Sequence, residues 1–204
     1  MKTVLLLYGF CGDFMNWIDI LAQVIGILGS VFIIGSFQMK SNKWLYVFQS
    51  VGGLLFTINF FMIGSYTGSM LNMIGFFRGI ILAMGEKWTK KWIGVLVALA
   101  YIAAGIVTFI ITCKTTMDGV CTVLITISGV ATTVSMWTRN GKIIRWVNFG
   151  INSPTWLVNN IHYFSLGGII TEVVSIVSVL VSFIRFGLNE FDDEPSKSNK
   201  TRSE

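Results

Sequence analysis

The sequence predicts an all-α fold, a polytopic transmembrane bundle of about seven helices built as two parallel three-helix repeats joined by a linker helix. Three observations carry this. The 204-residue chain is 53% hydrophobic and 12% charged, with a mean hydropathy of +0.72, whereas about a quarter of a soluble domain is charged. Its lysines and arginines collect in alternate loops. It also aligns with itself at a distance of about one hundred residues.

Seven stretches approach the ~20 apolar residues a spanning helix needs. They are Trp17 to Phe37, Trp44 to Ile63, Ser69 to Gly85, Trp92 to Thr112, Gly119 to Thr138, Ile143 to Tyr163 and Gly168 to Gly187. The opening MKTVLLLYGFC has a lysine and an apolar run, but the run is short and no small-x-small cleavage pattern follows, so residues 1–16 read as a retained interfacial N-terminus. Residues 17–85 form the first repeat, 86–118 the linker helix and its loops, and 119–188 the second repeat. The end, NEFDDEPSKSNKTRSE, is too polar to offset the entropy of ordering it, and residues 189–204 read as a disordered cytoplasmic tail.

Basic residues near helix ends favour the cytoplasmic side. One set of loops carries Lys40 and Lys43, then Lys87, Lys90 and Lys91, then Arg139, Lys142 and Arg145, then Arg185 and the tail; the other carries Lys2 and Lys114. With an odd number of spans the N-terminus lies outside and the C-terminus in the cytoplasm. Cys11, Cys113 and Cys121 then fall near the outer face, where a disulfide between Cys113 and Cys121 is chemically permitted, although buried or idle thiols are the preferred reading. A single histidine gives no zinc-site spacing, and no cofactor or metal is expected.

The repeat is read from matched segments. GSYTGSMLN, Gly64 to Asn72, returns as FSLGGIITE, Phe164 to Glu172, pairing Ser65 with Ser165, Gly68 with Gly168 and Asn72 with Glu172. SFQMKSNK, from Ser36, matches SMWTRNGK, from Ser135, and after a one-residue shift placed in that turn Phe56 meets Trp156 and Asn59 meets Asn159. An odd linker helix points both triplets the same way, which is the parallel-repeat plan with a solute site at the repeat interface.

Polar side chains inside a bilayer are costly and normally face the bundle or a cavity. On a regular helix Asn148, Asn152, Trp156, Asn159 and His162 share an arc of about 120 degrees. Pro154 in the same helix predicts a kink with freed carbonyl groups. The amides of Asn148, Asn152 and Asn159 donate and accept, which suits a neutral polar solute, and Trp156 offers a stacking face. Each asparagine alone reads better as interhelical glue, the stripe together as a cavity wall. Glu172 is open between a proton-coupled carboxyl at depth and a hydrated group at the outer interface. Arg78 reads as a snorkelling side chain or one bonded to a helix carbonyl, Asp19 as interfacial, and His162 as a packed, hydrogen-bonded residue.

The segment GSVFIIGSFQMKSNKWLYVFQSVGGLLFTINFFMIGSYTGSMLNMIGFF resembles the three-helix unit of the SWEET, SemiSWEET and PQ-loop transporters, with its polar Q-x-K turn, helix-two aromatic residue and helix-three asparagine. The later segment TRNGKIIRWVNFGINSPTWLVNNIHYFSLGGIITEVVSIVSVLVSFIRF and its upstream partner are similar to bacterial YgjV-type inner membrane proteins. The resemblance implies a bacterial inner-membrane carrier of sugars or similar small solutes working by alternating access. It also implies that Asn72 and Trp156 belong to the solute pocket. The chain departs from the pattern in four places: Phe37 and Met136 replace the prolines, Glu172 the second asparagine and Phe56 the first tryptophan. The candidate binding set is therefore Asn72, Trp156, Asn152, Asn159, Asn148, Glu172, Phe56 and Asn59. The partners expected are the lipid bilayer and a small polar solute. The alternative is a non-transporting membrane protein with a structural, assembly or sensing role. No nucleophile–base pair or phosphate loop supports an enzyme, and the net charge of +5 is explained by cytoplasmic loops rather than nucleic acid.

Overall fold

A computed structural model of the chain describes residues 16–36, 42–85, 87–138 and 141–186. The expected interfacial N-terminus and the tail fall outside these residues almost entirely, as do Cys11, Lys40 and Arg139. The described residues form seven helices: α1 Trp17–Ser36, α2 Asn42–Met62, α3 Tyr66–Ala83, α4 Lys91–Thr112, α5 Thr116–Thr138, α6 in three consecutive parts, and α7 Leu166–Phe186. The parts of α6 are Gly141–Val147, a π-helical stretch Asn148–Asn152, and Ser153–His162.

Burial is inverted relative to a water-soluble bundle. Among the described residues nine apolar side chains are buried against twenty polar ones, while Trp92, Val95, Leu99, Ile106 and Ile110 of α4 face outward. An apolar exterior around a core of Ser, Thr and Asn is what lipid, rather than water, selects. By length and composition α1, α4 and α5 are each able to cross a membrane alone. The others carry the amides, glycines and charges that point inward, which lowers their hydropathy without shortening the bundle. Many of the Ser and Thr hydroxyls are satisfied within their own helices, as in Thr57 Oγ1 to Gly53 O at 2.9 Å and Thr108 Oγ1 to Ala104 O at 2.7 Å.

The two triplets pack alike. In each, the second helix lies against the first and third; between triplets, α1 meets α7 and α3 meets α5, and α4 lies along α3 and α5. The turns joining the second and third helices coincide bond for bond. Ser65 N–H donates to Phe60 O and Ser165 N–H to Asn160 O, both at 2.9 Å; Gly64 N–H reaches Phe61 O and Phe164 N–H reaches Ile161 O, both at 3.3 Å. This is a Schellman termination, which needs a left-handed residue after the helix. Gly64 supplies it at φ +83, and Phe164 adopts it at φ +56. The echo between GSYTGSMLN and FSLGGIITE thus marks the same turn twice.

The one-residue offset between the repeats lies elsewhere than the sequence suggested. Gln49, Gly53, Phe56 and Phe60 of α2 line the central cavity, as do Asn148, Asn152, Trp156 and Asn160 of α6. The first set spans eleven steps of helix and the second twelve, so the extra residue sits within α6 and not in the basic turn. The π-helical stretch absorbs it, with Ser153 N–H bonding back to Asn148 O. Pro154 follows directly and has no N–H to hold a tighter ladder. The expected proline kink is therefore realised as a widened turn.

Candidate functional site

A cavity of about 170 Å³ lies between the triplets. Its wall is built from equivalent positions: Ile33 and Thr132, Gln49 and Asn148, Phe56 and Trp156, Phe60 and Asn160, Leu71 and Thr171, Asn72 and Glu172. Tyr101 of α4 and Arg78 of α3 complete it. Tyr101 is one of the few polar residues of the linker helix, and through it α4 is part of the wall.

Six of the eight candidate residues, Asn72, Trp156, Asn152, Asn148, Glu172 and Phe56, line this cavity. Asn59 and Asn159 do not. The widened turn in α6 sets its later residues back by about 100 degrees relative to a regular helix. This brings Trp156 and Asn160, the second of which a regular wheel puts outside the arc, into line with Asn148 and carries Asn159 and His162 away. His162 instead bonds Asp118 Oδ1 through Nε2 at 2.9 Å, joined by the Tyr163 hydroxyl at 3.1 Å. Asp118 Oδ2 accepts from the Lys114 and Thr115 backbone N–H groups, so this cluster clamps the α4–α5 loop to the end of α6. Asp19 lies at the exposed start of α1. Cys113 and Cys121 are free thiols, the second buried.

Asn59 is a brace. Its Nδ2 donates to Ala22 O at 2.7 Å and its Oδ1 accepts from Ser165 Oγ at 2.8 Å, tying α2 to α1 and to the turn of the other triplet. The same seam is reinforced by Gln23, which donates to Phe164 O at 2.9 Å and accepts from Leu166 N–H at 3.0 Å. Gly26 and Gly167 meet backbone to backbone there, with no room for a Cβ on Gly167. The counterpart, Asn159 with Ser65, is equally buried yet makes no hydrogen bond at Asn159 Oδ1, Asn159 Nδ2 or Ser65 Oγ. At that seam Thr67 and Thr122 share a hydroxyl pair at 3.0 Å. Ser65, Ser165 and Asn59 are 0% exposed and Asn159 1%, so the cavity is closed at the end where the twin turns lie.

Inside, the aromatic rings form a short stack: Phe56 and Phe60 centroids are 5.7 Å apart, and Phe60 and Trp156 likewise. Asn152 Oδ1 accepts from Ser128 Oγ at 2.7 Å and Thr132 Oγ1 at 3.2 Å, while Asn152 Nδ2 donates to Asn148 Oδ1 at 2.8 Å. Asn72 Nδ2 donates to Gly68 O at 2.9 Å, which leaves its oxygen available. Arg78 donates from Nη1 to Thr133 Oγ1 at 3.0 Å, and its guanidinium carbon stands 5.5 Å from the Tyr101 ring centre. Neither snorkelling nor a bond to a helix carbonyl describes it. Asn160 Oδ1 is buried and unpartnered. Asn160, Arg78, Gln49 and Thr132 are wall residues that the candidate set lacked; an exact fit of the repeat offset at Phe60 and Gln49 is the signal that finds the first and third.

An apolar exterior, a polar interior and a cavity between two like triplets define an integral helical membrane protein. The family model described as Imp-YgjV, bacterial inner membrane protein, matches residues 20–190, and the chain belongs to that family as a multi-pass inner-membrane protein. No curated protein and no solved structure matches it.

Proposed function

We propose that the protein is a carrier of a small polar solute that works by alternating access, as its resemblance to the SWEET and PQ-loop transporters implies. The observation that carries this reading is the wall itself: equivalent positions of both triplets converge on one cavity lined by amides and rings, the place where parallel-repeat carriers bind solute. Asn72 and Trp156, the residues matched to the solute pocket, both belong to it. With the N-terminus outside, as the basic loops favour, the sealed twin turns face outward and the cavity belongs to an inward-facing form.

Reconstitution into proteoliposomes with a panel of labelled solutes tests the proposal. Saturable uptake is expected, and Trp156→Ala and Asn72→Ala should each reduce it by about tenfold or more. Full-rate transport by both variants removes the pocket. A second reading, a non-transporting membrane protein, is favoured by the internal bonding of Asn59 and Asn152, which is the pattern of interhelical glue. Thiol labelling separates the two: cysteines at 148 and 160 should react with a water-soluble reagent if a solute pathway exists and stay unreactive if the amides only hold helices together.

A further inference from the structure

We infer that the solute carries a single carboxylate and that Arg78 is the residue that selects it; this deepens the carrier reading and rests on it. The inventory of hydrogen-bonding groups around α5 leads there. Both amide oxygens of the Asn148–Asn152 pair are occupied: Asn152 Oδ1 by two hydroxyls and Asn148 Oδ1 by the Asn152 amide. What remains over from the pair is N–H donors. Thr133 passes its own hydroxyl proton to Gly129 O at 2.7 Å, so its oxygen is turned to accept from Arg78. One Arg78 nitrogen is thereby anchored and one guanidinium face covered by Tyr101, while the remaining N–H edges stay free. Thr132 and Thr133 are successive residues of α5, so the amide pair and the guanidinium converge on one turn of that helix.

The result is a patch with surplus donors and a permanent positive charge. Among the described residues no carboxylate is recorded within ion-pair distance of Arg78, and Asp118 is bonded to His162 elsewhere. An unpaired guanidinium inside a membrane protein is costly, and a planar carboxylate matches its fork two bonds at a time. Glu172 does not fill this role. Its equivalent on α3 is Asn72, six residues before Arg78, which separates the two levels by about 9 Å along the helix axis. Glu172 also argues against a second acidic group on the solute, since that group would meet a carboxyl already lining the wall.

Proteoliposomes of the full chain, offered labelled glycolate and L-lactate beside the uncharged lactamide and glycerol, with malonate and inorganic phosphate as competitors, provide the test. Lactate or glycolate should be taken up saturably, at least about tenfold better than lactamide, with malonate and phosphate competing poorly. Arg78→Gln should weaken acid uptake by about ten- to a hundredfold, and Arg78→Lys should restore part of it. Asn148→Asp, nearly the same shape, should lower acid uptake and leave the protein monodisperse, which keeps the test open should Arg78→Gln aggregate. Saturable carriage of glycerol or lactamide without preference for the acids, superior competition by phosphate or malonate, or undiminished acid uptake in Asn148→Asp overturns the inference while the carrier reading stands. Failure of every solute in the panel to move removes both.

Discussion

Where the first triplet lines the cavity with Ile33, Phe56, Phe60 and Leu71, the second places Thr132, Trp156, Asn160 and Thr171 at the equivalent positions. At these positions the first wall is apolar and the second carries an amide, two hydroxyls and an indole. The same division runs through the seams. α1 and α7 are joined by Asn59, Gln23 and a glycine-to-glycine contact, whereas α3 and α5 have a threonine pair, the Arg78–Thr133 bond and an asparagine whose side chain bonds nothing. A duplicated backbone needs only its turns and small-residue contacts to be preserved. Side chains that do not set those features are free to diverge, and the two copies have taken up different work: one seam holds, the other is loosely fastened.

The largest test of this contrast is Gly167→Ala. The added methyl would run into the Gly26 backbone, which cannot retreat as a side chain can, so a loss of about 3 kcal/mol or more is expected, read as a collapsed yield of monodisperse protein. Thr67, at the equivalent place in the other seam, already carries a side chain, and Thr67→Ala should cost under about 1 kcal/mol. If the two variants behave alike, the seams are not different in kind. Next comes the asparagine pair. Asn59→Ala strands the Ala22 carbonyl and the Ser165 hydroxyl and should cost about 2 kcal/mol. Asn159→Ala should lie within about 0.5 kcal/mol of the parent, because it removes a buried amide that has no partner. Steric-trap or thermal unfolding in mild detergent measures both, and equal losses would mean that Asn159 is bonded as firmly as its twin. The smallest effect is at the turns. Phe164→Gly should raise stability by about 0.5–1 kcal/mol, since it removes a left-handed phenylalanine that is 46% exposed; an unchanged or lower melting temperature would show that the ring repays its conformation.

Composition and the repeat made the helix order and the helix boundaries legible to within a few residues, as with Trp92 to Thr112 against Lys91–Thr112. The turn motif was legible because Gly and Ser recur in fixed register. What the sequence concealed was the phase of α6. A regular helical wheel cannot register an inserted residue, so it assigned Asn159 to the wall and left Asn160 outside it. Arg78 was hidden for a different reason: its partners, Thr133 and Tyr101, come from two other helices and leave no local pattern. Asn59 looked identical to Asn159 in sequence, and only its surroundings make one a brace and the other idle.

The insertion carried by α6 has one more corollary. A deletion of any one residue between 148 and 152 would return that helix to the length of α2 and let it close as an ordinary ladder. Trp156 and Asn160 would keep their seats, and so would Asn148, seven regular steps before Trp156 as Gln49 is before Phe56, while Asn152 swung about 100 degrees around the axis to the place Gly52 has in α2. The donor-rich end of the cavity would then lose the Asn152 amide and its bonds to Ser128 and Thr132 with no change in amino-acid type, through spelling length alone.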